Sequence, residues 1–313
     1  MSASLQLHQS FPHLRRARTT RSIMYDVVIA LVPPTIAAVW FFRWSALWVL
    51  LVSVISCMIT QMVCSALRHK KWIWGDGSEV VTGLLLGLSI PAGTSLWAVA
   101  LAGIFAIAVV KEAFGGIGHN FLNPAMAARA MLLISFPMTV KGFVRPDAQS
   151  SATPLANING NNLWTMLFGE KNGSIGETCA VLIILGGVYM LLRGIIRLRV
   201  PVICLWSFAI VIWVFGGDTL FTGNPTAHLL SGGLMLGAFF MVTDYTTKPT
   251  TAVGECIYAA GVGVINALLR LYGPYPEGMC FAILLMNLAT PLLEYLTRPR
   301  VYGVRSMLIP SDK

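Results

Sequence analysis

The feature that most constrains this chain is a succession of apolar stretches close to bilayer-crossing length, with no polar interval longer than about 40 residues between them. A hydrocarbon core takes about 20 apolar residues per helix, and ten stretches approach that length: 25–42, 45–67, 78–90, 95–113, 121–139, 178–196, 200–221, 227–243, 252–271 and 277–296. Backbone groups in such a medium must satisfy one another within the segment, so helices are the structure open to these stretches. Of 313 residues 56% are hydrophobic and 11% charged, against about a quarter charged in a soluble domain. The formal net charge of +9 does not signal nucleic acid, because the basic residues fall in short clusters between apolar stretches, without an aromatic-interleaved basic domain. Cys57, Cys64, Cys179, Cys204, Cys256 and Cys280 lie within or at the ends of apolar stretches and form no C-x-x-C pair. They read as small buried hydrophobes, with no metal or cluster ligation expected. Arg15, Arg16, Arg18 and Arg21 precede an apolar run without a small-residue cleavage site, the pattern of a retained membrane helix.

Lysine and arginine set the direction, since they accumulate on the cytoplasmic side. With the N-terminus inside, sixteen basic residues fall in cytoplasmic segments and five outside (Arg43, Lys141, Arg145, Lys171 and Arg270), leaving Arg129 within a stretch. The expectation is an even number of helices, both termini cytoplasmic, and the longest polar connection, 140–177, outside. "TGLLLG" at 82–87 and "GGLMLG" at 232–237 recur about 150 residues apart, each in a short stretch. Two halves of five helices insert upside down relative to each other, an arrangement that builds sites near the midplane from broken helices. The expected organisation is an all-α polytopic membrane protein: a cytoplasmic arm 1–24, a first five-helix repeat 25–139, the outer loop 140–177, a second repeat 178–296 and a cytoplasmic tail 297–313.

Soluble nucleotide-binding signatures and H-E-x-x-H are missing from the sequence. What remains is polar sequence where a membrane protein tolerates little. "KEAFGGIGHNFLNPAMAARA" at 111–130 places Gly115, Gly116 and Gly118 before Asn120 and Asn123. Glycines allow close backbone approach to a ligand, and two carboxamides can read the donors and acceptors of a flat heterocycle. The plainer reading is a helix start with asparagine caps and proline in the first turn. Asp26, Glu79, Asp244 after Phe239 and Phe240, and Glu294 put carboxylates at membrane depth or its edge. Such groups are costly there and mark hydrated paths or cations unless they sit at headgroup level. Phe240, Asp244 and Glu294 are the ion-path candidates, with Asp244 as a cap of the Thr246–Thr247 turn as the alternative.

Several motifs, in order, extend over nearly the whole chain: "DGSEVVTGLLLGLSIP", "KEAFGGIGHNFLNPAMAARAMLLISFP", "SSATPL", "HLLSGGLMLGAFFMVTD" and "GPYPEGMCFAILLMNLATPLLE". In these the chain resembles the family of D subunits of Rnf complexes and B subunits of sodium-pumping NADH:quinone reductases. The resemblance implies ten helices in two inverted repeats, similar to urea and ammonium transporters, in a bacterial cytoplasmic membrane. It implies FMN joined by a phosphodiester to the threonine of an S-x-A-T motif, here Ser150-Ser151-Ala152-Thr153, so that Thr153 carries the flavin and the cofactor becomes a fixed electron relay. It also implies noncovalent riboflavin at Asn120 and Asn123. Pro154 after Thr153, the modest length and the short N-terminal arm favour the Rnf branch. That branch implies a non-autonomous component of a translocase, assembled with the A, B, C, E and G subunits. Electrons would pass between ferredoxin and NAD while Na⁺ or H⁺ is moved. A transporter-like channel without redox function is the contrasting reading, because fold does not determine function.

Overall fold

A computed structural model describes residues 19–68, 76–140, 167, 173–217, 219–273 and 278–299. Among the described residues every regular element is helical. Helix α1 runs over Thr20–Leu67 in two arms, 20–42 and 44–67, separated at Arg43, whose φ of 52° and ψ of −130° are not helical. Thr19 caps its start by accepting from the Ser22 amide at 3.3 Å. Helix α2 (Ser78–Ser89) ends where Ile90 turns extended ahead of Pro91, since a residue before proline is disfavoured in helical conformation. Helix α3 (Leu96–Ile104) continues as a π-helix over Phe105–Glu112, α4 covers Pro124–Ser135, and the single turn α5 covers Pro137–Val140.

The second half opens with a 3₁₀ turn at Ile175–Glu177, followed by α6 (Ala180–Leu192) and α7 (Arg199–Phe215). The stretch read at 227–243 is divided. Helix α8 (Pro225–Leu230) stops at Ser231, Gly232 takes φ +72°, and α9 (Leu234–Leu236) continues as a π-helix over Gly237–Met241. Helices α10 (Ala252–Tyr272) and α11 (Met279–Leu296) complete the described fold.

Three helices, α1, α10 and α11, are long and apolar enough to cross a membrane, and α2, α4, α6 and α7 are shorter apolar helices. The outward faces carry large apolar side chains such as Ile29, Ile36, Ile55, Leu285 and Leu292, which a lipid environment accepts and water would not. Two glycines set the close helix contacts. A Cβ at Gly83 would stand 2.7 Å from the Val54 Cα, so α2 rides directly on the second arm of α1, where Ser53 Oγ donates to the Gly83 carbonyl at 2.7 Å. At Gly186 a Cβ would meet the Ala30 carbonyl oxygen at 2.2 Å and the Phe240 ring at 3.0 Å. That contact brings α6, the first arm of α1 and the second half's π-helix together.

One ion pair ties the two halves together, and a second cluster braces the second half internally. Asp26, on α1, accepts from Arg193 at 2.9 and 3.1 Å and from the Tyr189 hydroxyl at 3.2 Å. Glu255 accepts from Lys248 at 2.8 Å and pairs with Arg197 and Arg199. A carboxylate desolvated in this way costs far less once paired and hydrogen-bonded than it would alone.

Candidate functional site

The glycine-rich connection between α3 and α4 is dictated by backbone geometry. Gly115, Gly116 and Gly118 have φ of 122°, 96° and 90°, values that a side chain makes strained. Their turns deliver two asparagines to the same place. Asn123 caps α4, its Oδ1 accepting from the amides of Ala125 at 3.1 Å and Met126 at 3.3 Å, with Pro124 at the first helical position. Asn120 is buried, and in the orientation that satisfies it Nδ2 donates to the carbonyls of Lys111 at 3.3 Å and Gly116 at 3.1 Å. The capping reading therefore holds for Asn123, and the same bonds leave complementary groups. An amide has two acceptor sites on oxygen and two donors on nitrogen, so Asn123 keeps its NH₂ and Asn120 keeps its oxygen.

Both asparagines line one cleft between the two halves of the chain. From the first half it is walled by Met24, Val27, Ser78, Val81, Thr82, Leu85, Lys111, Ile117 and Pro124, and from the second by Met190, Ile195, Ile196, Phe240, Thr243, Asp244 and Thr246. Asn120, Asn123, Phe240 and Asp244, named from sequence, thus meet in one cavity. Asp244, just past the end of the apolar stretch 227–243, accepts from the Thr246 amide at 3.1 Å, the Thr246 hydroxyl at 2.9 Å and the Thr247 hydroxyl at 3.4 Å. It shapes the turn and also faces the cleft. Burial pushes its carboxyl above the ordinary carboxylate range, and the bonds from Thr246 and Thr247 pull the other way without cancelling this. Phe239 lies against Gly187, where a Cβ would approach its ring to 2.4 Å, so both phenylalanines pack on α6 while Phe240 also lines the cleft.

Glu294 stands apart from the cleft, accepting from the amide and hydroxyl of Thr250 at 3.0 and 3.1 Å. Ser150, Ser151, Ala152 and Thr153 lie outside the described residues. Sequence marks Lys111 only as a charge that sets orientation, yet it is 3% exposed and lines the cavity. Its ammonium donates to Gln61 Oε1 at 2.9 Å and to Ser78 Oγ at 2.7 Å. Gln61 in turn donates to Glu112 at 2.9 Å, and Glu112 pairs with Arg68 at 3.1 Å. The one sequence sign of this role is a lysine directly before a glycine-rich break. Among the described residues no cluster of histidine, cysteine and carboxylate side chains is arranged to hold a metal ion.

The model of the NQR2, RnfD, RnfE family matches residues 7–303. The chain is 44% identical over 306 residues, 94% of each sequence, to the D subunit of the Na⁺-translocating ferredoxin:NAD⁺ oxidoreductase complex of Acetobacterium woodii. It is 38% identical over 316 residues, covering 95% of the chain and 96% of the relative, to the D subunit of the proton-translocating ferredoxin:NAD⁺ oxidoreductase complex of Clostridium ljungdahlii. Against the D subunit of the ion-translocating oxidoreductase complex of Halorhodospira halophila the identity is 35% over 335 residues, 93% and 94% of the two chains. A match of this extent, on a helical chain whose glycine break and broken second-half helix meet at one cleft, means that the protein belongs to the NQR2, RnfD, RnfE family.

Proposed function

We propose that this chain is the D subunit of an Rnf-type complex, a membrane component of an ion-translocating ferredoxin:NAD⁺ oxidoreductase. It carries FMN covalently on Thr153 and riboflavin in the cleft at Asn120 and Asn123. The observation that carries the reading is the cleft itself, in which an apolar wall of Val81, Leu85, Ile195 and Phe240 faces amide, hydroxyl and ammonium groups. An isoalloxazine has the matching character: an apolar dimethylbenzenoid end, and a pyrimidine edge that alternates acceptors with an N–H donor. The free NH₂ of Asn123 and the free oxygen of Asn120 supply one donor and one acceptor for that edge. Bound flavin supplies electron relay, while the protein holds the ring and shields it from water. The outer loop with Ser150, Ser151, Ala152 and Thr153 puts the second flavin on the opposite face, so that electrons cross between the two. Phe240 and Asp244 border the ion route, with Glu294 as a more distant candidate.

This reading carries with it ten membrane helices in two inverted repeats, both termini in the cytoplasm of a bacterial cell, loop 140–177 outside, and assembly with the A, B, C, E and G subunits. The names of the relatives divide between Na⁺ and H⁺, and ion uptake per electron in proteoliposomes identifies which moves here. The flavin assignment is tested on protein from its native host. Mass spectrometry of the 140–177 peptide is expected to show one FMN phosphodiester on Thr153, and extraction of the denatured chain is expected to release riboflavin. An unmodified peptide would remove the tether, and a chain without either flavin would favour the channel reading.

A further inference from the structure

Resting on the flavin reading of the cleft, we infer that Lys111 is its charge-selective ligand: the cleft binds the reduced, anionic isoalloxazine more tightly than the oxidised ring, and Lys111 makes the difference. The lysine comes from the π-helical stretch Phe105–Glu112, with Asn120 bonded to its carbonyl and its own side chain buried at the cavity wall. Two ammonium hydrogens are used, both on neutral oxygens, Gln61 Oε1 and Ser78 Oγ. An ammonium has three donors, so one is left for the cavity it lines. Among the described residues no carboxylate bonds to the ammonium directly. Lys248 touches a carboxylate directly at Glu255, and Arg193 does so at Asp26, whereas Glu112 beside Lys111 is matched by Arg68 and by Gln61. Glu79, next to Ser78, is buried and lies within electrostatic reach of Lys111, as Glu112 and Asp76 do, without an ion pair to its ammonium. Among the described residues, the other charged group lining the cavity is Asp244, which belongs to the second half.

Two electrons and one proton taken up by oxidised riboflavin leave one negative charge on the pyrimidine end of the ring. A buried cation beside that end favours the reduced form, because low-dielectric surroundings screen the attraction little. Preferential binding of the reduced form is the same quantity as a raised reduction potential in the site. The gain is specific to charge: the oxidised ring, neutral at this edge, draws only a hydrogen bond from Lys111.

The test uses the full chain in lipid nanodiscs with riboflavin as the probe, measuring Kd for the oxidised ring by fluorescence quenching and for the reduced ring anaerobically. Dithionite, oxidised to sulfite, supplies the electrons and the buffer supplies the proton. Lys111→Gln is expected to weaken the reduced ring at least tenfold more than the oxidised ring, a drop of roughly 30 mV for the two-electron couple, and Lys111→Arg to retain the wild-type ratio. Asp244→Asn, which removes the opposing charge, is expected to move the ratio the other way. A purely structural role for Lys111 would weaken both forms equally. An unchanged ratio in Lys111→Gln, or the same direction of change in both neutralising variants, overturns the assignment while leaving the flavin site in place. Wild-type protein that binds neither form overturns the flavin reading and the inference together.

Discussion

Asn123 holds two roles on two atoms, and one substitution separates them. Its Oδ1 caps α4 through Ala125 and Met126, while its NH₂ remains for a ligand in the cleft. Asn123→Asp keeps an oxygen for the cap and places a negative charge at a helix N-terminus, a position that favours anions by about 0.3–1 kcal/mol. It also exchanges the free NH₂ for an acceptor. Where the ring presents a carbonyl to that NH₂, the bond is lost and an acceptor faces an acceptor, which costs about 1–3 kcal/mol or roughly 5- to 150-fold in Kd. Asn123→Ala removes both atoms and is expected to cost about 0.5–2 kcal/mol in helix stability besides. The assay pairs thermal unfolding in nanodiscs with riboflavin retained per chain. Aspartate should unfold like wild type yet lose riboflavin, and alanine should lose both. The division of roles is wrong if aspartate keeps its riboflavin, or if it unfolds as early as alanine.

Thr153→Ala should leave the chain inserted, abolish covalent FMN and stop electron transfer through the assembled complex, as read by in-gel flavin fluorescence of the denatured chain and by ferredoxin-dependent NAD⁺ reduction. Asp244→Asn retains an oxygen for the Thr246 amide and removes the charge facing the cleft, so ion uptake in proteoliposomes and turnover should fall together while FMN stays on Thr153; normal values for both exclude Asp244 from the mechanism. Gly186→Ala forces a methyl into the Ala30 carbonyl and should destabilise by about 1–3 kcal/mol, seen as a lower unfolding midpoint; an unchanged midpoint would refute the close contact between α6 and α1. Glu294→Gln keeps an acceptor for Thr250 and should change riboflavin retention by less than about twofold, since the residue stands outside the cleft.

The helical class and membrane character of this chain are properties of local composition. A stretch of about 20 apolar residues meets the bilayer's demand wherever it sits in the chain, so the apolar runs at 25–42, 45–67, 252–271 and 277–296 could be read without any knowledge of their neighbours. Local chemistry also announced the breaks: Pro91 after α2, Asn123 with Pro124 at the start of α4, and the Ser231-Gly232-Gly233 interruption each act through their own backbone preferences. The partner of each charge was decided by tertiary structure. Asp26 and Glu294 look alike in sequence as carboxylates near the membrane, yet one pairs with Arg193 across 167 positions and the other serves the Thr250 loop. The cleft likewise exists only because Met24, Lys111, Asn123, Met190 and Asp244 converge on one volume. Lys111 shows the reason most clearly: in sequence it is one more cytoplasmic cation, and it becomes a buried charge facing a cavity only when Gln61 and Ser78, on two other helices, close around its ammonium. Burial and pairing depend on which segments pack together, and that information is carried by contacts between distant residues rather than by any window of the chain.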